Sequence, residues 1–177
     1  LMPSNPFALR FPSDDDLFKL QNYVFVGWGL LGFAPQWEHT ADATLAIAVA
    51  FGVMYLLLIV RSVVAPTRGA ANGSFTSLSG VCALFTDRRS VFVGWVHYIA
   101  FDLLVGRWIV LDAAGSGVPH AIAAASLPLT LMLGPSGLVA YLAAKAVYQA
   151  WWAEGGASWA PGPGALCRPT DRPSERA

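Results

Sequence analysis

The chain has 177 residues, 55% of them hydrophobic and only 12% charged, with 11 basic and 11 acidic side chains. A soluble domain carries roughly 25% charged residues. The low charge and a mean hydropathy of +0.52 therefore exclude an ordinary water-soluble globule, and with zero net charge no nucleic-acid partner is expected.

Residues 1–16 form a polar N-terminal segment that ends in Asp14-Asp15-Asp16, where Ser13 or an Asp is suited to cap the helix that follows. Four apolar runs then lie within residues 17–150, each long enough to cross ~30 Å of hydrocarbon at ~1.5 Å per residue. The first is Leu17–Ala34, with Lys19, Gln21 and Asn22 at its entry. The second is Ala43–Val60, the third Val91–Leu111, and the fourth runs from Ala121 to Tyr148, interrupted by Pro128 and Gly134-Pro135. Lipid tolerates only helices or closed barrels, and no dyad pattern of strands is visible. The expected fold is an all-α, integral membrane four-helix bundle whose fourth helix is kinked or broken. The loop between spans two and three places Phe75, Leu78, Cys82 and Phe85 at helical spacing, which predicts a short interfacial amphipathic helix or a loop packed on the bundle.

Charge sets the expected orientation. Arg10, Lys19, Arg61, Arg68, Arg88, Arg89, Lys145, Arg168, Arg172 and Arg176 fall on one side, and the opposite loops, 35–42 and 112–120, hold no Lys or Arg. By the positive-inside rule both termini then face the cytoplasm or the stroma. Trp37, Trp108, Trp151 and Trp152 fall at span ends, whereas Trp28 and Trp95 lie deeper and are expected to pack between helices. Residues 151–177 form a Gly/Pro/Arg-rich tail on the same side, expected to be held by a binding partner. Cys82 and Cys167 show no metal-ligand spacing and read as free thiols. No nucleotide, iron–sulfur or zincin motif is present. Because the chain begins with Leu, its N-terminus is expected to have been processed or trimmed.

Span three carries the chemistry. Within Gly94–Trp108 it holds His97, Asp102 and Arg107 in otherwise apolar surroundings, where a charged side chain costs ~3 kcal/mol on insertion scales. Asp102 lies ~16 Å from the start of the run, near the midplane. Tyr98 is one helical turn before it on the same face, while His97 is ~140° around the helix and cannot pair with it. Arg107 reads as a structural ion pair, with Glu38, Asp42 and Asp112 as counter-charges, or as a snorkelling side chain. Asp102 is either a neutral or paired carboxyl or a catalytic or ligand group. His97 is a core histidine, a pigment-metal ligand or a proton-transfer group. In span four, Pro135 crowds the carbonyl of Leu131 and breaks the helix at the expected depth of Asp102, which suggests a polar midplane pocket. Glu38, His39, Asp42, Asp112 and His120 form a second polar set whose spacing matches no metal site, so no metal is expected.

The stretch from Phe75-Thr-Ser-Leu78 to Leu84-Phe85, then Gly94-Trp95-Val-His97-Tyr98, Phe101-Asp102-Leu and Gly106-Arg107-Trp108, resembles the abscisic-acid-deficient-four-type, neoxanthin synthase-like family of plastid and cyanobacterial membrane proteins. Leu133-Gly134-Pro135 with Gly137-Leu138, and Trp28 with Pro35, extend the likeness over residues 17–150. The resemblance implies a thylakoid or envelope protein, multi-pass, that isomerises violaxanthin to neoxanthin without a redox cofactor. Asp102 is then the base, His97 or Tyr98 the acid, and Arg107 a positioning group. Trp95, Trp108, Gly134, Pro135 and His97 line the ligand. Membrane lipids and a carotenoid are the implied partners. Because the end rings of a bilayer-spanning carotenoid sit near the interfaces, either the substrate enters obliquely or the chemistry lies at Glu38, His39 and Asp112. The competing reading is a non-catalytic auxiliary subunit of a photosystem–antenna complex, with bound carotenoid or chlorophyll and photosystem or light-harvesting proteins held through the tails.

Overall fold

In the computed structural model, residues 12–69 and 73–153 are described, and all their regular structure is helical. The first apolar run is a helical path in three pieces: α1 (Asp14–Leu20), a 3₁₀ turn over Gln21–Tyr23, and α2 (Val24–Phe33). Ser13 caps α1, its hydroxyl accepting from the Asp16 N–H at 3.2 Å, and the three acids of the first turn face the positive end of the helix dipole. α3 (Thr40–Val64) follows the turn at 34–39. Then come α4 (Leu78–Thr86), α5 (Arg88–Gly115), α6 (His120–Leu133) and α7 (Pro135–Ala153). Only α3 and α5, among the described residues, are at once long and apolar enough to cross a membrane. Four separate crossings are therefore more than the helices themselves establish. The tail from residue 154, with Cys167 and the expected partner-held segment, lies outside the described residues.

The chain up to Arg107 makes one compact unit and the chain from Trp108 another. In the first, α1 lies beside the opening turns of α5 and runs in the same direction. Asp15 pairs with Arg88, the Phe18 ring meets Phe92 at 5.8 Å between centroids, and Gln21 accepts from the Trp95 indole N–H. Asp14 anchors the register, with Arg61 Nη1 at 2.9 Å from Oδ1 and Arg89 Nε at 3.6 Å from Oδ2. Deeper down, small residues let the helices close. A Cβ at Gly106 would sit 2.7 Å from the Trp28 ring, and one at Gly27 would sit 2.9 Å from Leu103. Trp28 is thus buried between helices as its sequence position predicted, but Trp95 is 45% exposed. It bonds along its flank to Gln21 and is not enclosed.

Asp87 starts α5. It accepts from the Ser90 N–H and hydroxyl at 2.9 and 2.8 Å, and from Thr67 at 2.7 Å. Burial alone would raise its pKa, but these donors and nearby Arg89 outweigh it and hold the carboxyl below its usual range. The predicted loop helix is present as α4, capped by Ser77. Leu78, Phe85 and the free thiol of Cys82 on this helix are exposed, as is Phe75 just before it.

In the second unit the fourth apolar run breaks, as Pro135 predicts, and it also reverses. α6 is continuous through Pro128, which does not add the irregularity expected of it, and ends at Gly134. Gly134 has φ 54°, a backbone region that favours glycine. Gly137 then lies against Thr130 so closely that a Cβ would come within 2.0 Å of Oγ1. α6 is ~21 Å long, and Lys145 is ~15 Å beyond Pro135. Yet the Lys145 ammonium bonds Ser116 Oγ at 2.8 Å and Asp112 Oδ2 at 2.6 Å, both before α6 begins. α7 therefore folds back along α6. Lys145 was assigned to the basic side and Asp112 to the uncharged one, and the structure pairs them. A single fourth crossing does not describe this segment.

Candidate functional site

An apolar helix such as α5 leaves few places for a polar side chain, so each one it carries is informative. Its buried face runs through Val96, Ile99, Ala100, Leu103 and Gly106. Asp102 sits at the edge of this face, 14 residues into a helix of 28, and is 7% exposed. The Tyr98 hydroxyl, one turn earlier, interacts with its carboxyl. Oδ2 is left without a hydrogen-bond partner among the described residues. A buried, incompletely satisfied oxygen costs on the order of 1–3 kcal/mol, more when charged. Folding alone gives no reason to retain it.

The other predicted residues separate from Asp102. His97 is exposed, stacked on Phe101 at 4.5 Å and tilted against Tyr55 of α3 at 5.5 Å. It points away from the Asp102 face, so Tyr98 and not His97 is the group beside the carboxyl. Trp95 stacks on Tyr98 at 5.8 Å between ring centroids. Arg107 donates through Nε to the Ala41 carbonyl in the first turn of α3 at 2.9 Å. That bond ties α5 to α3 and takes the place of the ion pair with Glu38 or Asp42 that the sequence suggested. Trp108, Gly134 and Pro135 belong to the second unit, where Trp108 meets Tyr141 edge-on at 6.1 Å.

The alternative polar set offers little for chemistry. Glu38 and His39 pair with each other at 3.3 Å on an exposed turn. Asp112 is engaged through Oδ2, to which Tyr141 donates at 2.5 Å and Lys145 at 2.6 Å. Among the described residues, no three of His, Cys, Asp and Glu gather into a metal-sized group. This Asp112–Tyr141–Lys145–Ser116 cluster was missed from sequence, although its signal was present. Asp112 and Ser116, and Tyr141 and Lys145, are each four apart, so each pair lies on one helix face.

The described residues define an α-helical protein with two helices, α3 and α5, long and apolar enough to cross a membrane, the second of which carries the buried acid. Residues 16–141 match the ABA DEFICIENT 4-like family, and the chain belongs to it. No curated protein and no solved structure matches the chain.

Proposed function

We propose that this protein is a xanthophyll isomerase of the plastid thylakoid or envelope membrane, converting violaxanthin to neoxanthin, with Asp102 as base and Tyr98 as acid. Family membership supports the substrate class. The observation that carries the residue assignment is the buried Asp102 carboxyl with one oxygen left unpartnered.

The reaction opens an epoxide to a tertiary alcohol and removes a nearby C–H to form an allene. Asp102 takes the proton from carbon, and the C–H electron pair becomes the new double bond. That double bond forms to the neighbouring epoxide carbon as its C–O bond breaks, and the oxygen receives a proton from Tyr98. No electrons leave, so no redox cofactor enters the scheme. Proton transfer of this kind contributes roughly 10²–10⁴-fold when donor and acceptor are positioned in advance. The i, i+4 spacing of Tyr98 and Asp102 on one rigid helix provides that positioning. His97, facing Tyr55, serves as part of the wall, and Arg107 holds α5 against α3.

The test is expression in a membrane that accumulates violaxanthin, followed by pigment chromatography, with Asp102→Asn and Tyr98→Phe in parallel. Neoxanthin from the wild-type chain and its loss in Asp102→Asn is the expected result. No new pigment from an inserted, folded chain would overturn the isomerase and favour a non-catalytic pigment-binding subunit of a photosystem–antenna complex.

A further inference from the structure

Where α1 runs beside the first turns of α5, the two helices leave a pocket of about 330 Å³, lined by Asp14, Asp15, Phe18, Arg88, Phe92 and Trp95 with Val91. Neither Asp102 nor Tyr98 lines this pocket, although Trp95 at its base also stacks on Tyr98. Its lining is ordered along the helix axis. Charged groups of both signs stand at the mouth, at the first residue of α5. The Phe18–Phe92 pair lies one turn below, and Trp95 closes the base ~10 Å in.

The mouth charges are unequal. Asp14 is fixed by Arg61 and Arg89 and is only 21% exposed. Asp15 and Arg88 pair with each other and are 69% and 75% exposed. An exposed pair of this kind contributes little and exchanges readily for other partners. We propose that this pocket binds the headgroup of a zwitterionic phospholipid, with its phosphate on Arg88 and its ammonium on Asp15. The glycerol and the start of an acyl chain lie against Phe18, Phe92 and Trp95.

Three observations select this occupant. The pocket opens at the charged start of a helix apolar enough to cross a bilayer, which is headgroup depth, and its walls are the aromatic rings characteristic of that zone. The apolar floor disfavours a free inorganic anion. With Asp14 already bound by Arg61 and Arg89, the exchangeable charges at the mouth are one carboxylate, Asp15, and one guanidinium, Arg88, and a phosphate and an ammonium side by side match both signs.

The test uses the full chain in detergent and native mass spectrometry with phosphatidylcholine, phosphatidylglycerol of the same acyl chains, and a neutral galactosyl diacylglycerol. Phosphatidylcholine is expected to be retained preferentially. Arg88→Gln and Asp15→Asn should each weaken its binding roughly five-fold, at unchanged melting temperature. Asp15→Asn should also strengthen phosphatidylglycerol binding, because a repelling charge is gone. Arg68→Gln, an exposed arginine outside the pocket lining, should change nothing. Equal retention of the two phospholipids, a preference for the galactolipid, no response to either pocket variant, or an equal response to Arg68→Gln would each overturn the proposal.

Discussion

Two carboxylates on the same helix, Asp102 and Asp112, have opposite fates. Asp112 receives the Tyr141 hydroxyl and the Lys145 ammonium on one oxygen, and its neighbourhood is closed by Ser116. Asp102, ten residues earlier and more deeply buried, keeps an oxygen with no partner among the described residues. Taking either group out of water is costly, and only Asp112 recovers that cost through partners supplied by the fold. A satisfied acid marks architecture. An unsatisfied one marks a place where something else is meant to arrive.

The contrast can be broken most sharply at Asp102. Asp102→Asn is expected to lower neoxanthin formation at least ~100-fold, while thermal unfolding in detergent stays unchanged or rises, since a costly buried acid becomes a neutral amide. Loss of both activity and stability would instead place Asp102 with the structural acids. The reverse pattern is expected at Asp112. Asp112→Ala should destabilise by about 3 kcal/mol, because it strands the Lys145 ammonium and Tyr141 hydroxyl. A double-mutant cycle with Lys145→Met then isolates their coupling. Gly137→Ala sharpens the structural side further. With Thr130 Oγ1 only 2.0 Å from the added carbon, overpacking should cost about 2 kcal/mol in the same unfolding measurement.

The smallest effect is expected at Asp87. Its carboxyl sits below the usual range in the folded chain, so its contribution is complete at neutral pH and fades as pH falls below about 4, through its folded value. Asp87→Asn should cost about 1 kcal/mol at pH 7 as a weakened cap and flatten the acid limb of a stability–pH curve.

Much of this was legible from sequence because it depends on local rules. Ser13 before three acids gives a cap, the i, i+3, i+7 spacing of Phe75, Leu78 and Cys82 gives α4, and Pro135 gives a break. The direction of the chain after the break was not legible. A proline says that a helix stops, but the reversal needs Gly134 at positive φ and a bare Gly137 against Thr130, a long-range fit that no local pattern encodes. Partners of single polar residues were equally hidden. Arg107 bonds a backbone carbonyl, and every residue has one. Trp95 was misplaced because α5 is apolar nearly all round, so hydropathy alone could not tell its inner face from its outer one.

The fold-back at Gly134 bears on how the protein is made. For a chain inserted into a bilayer, α6 by itself reaches only ~21 Å, short of the ~30 Å hydrocarbon core. It cannot be released laterally from a translocation channel as a finished span and then wait for its neighbour. α6 and α7 must be handed to the lipid together as a preformed hairpin. A nascent chain held at the point where Leu133 has just emerged from the ribosome should therefore keep α6 in a protease-accessible state until the residues carrying Tyr141 and Lys145 follow.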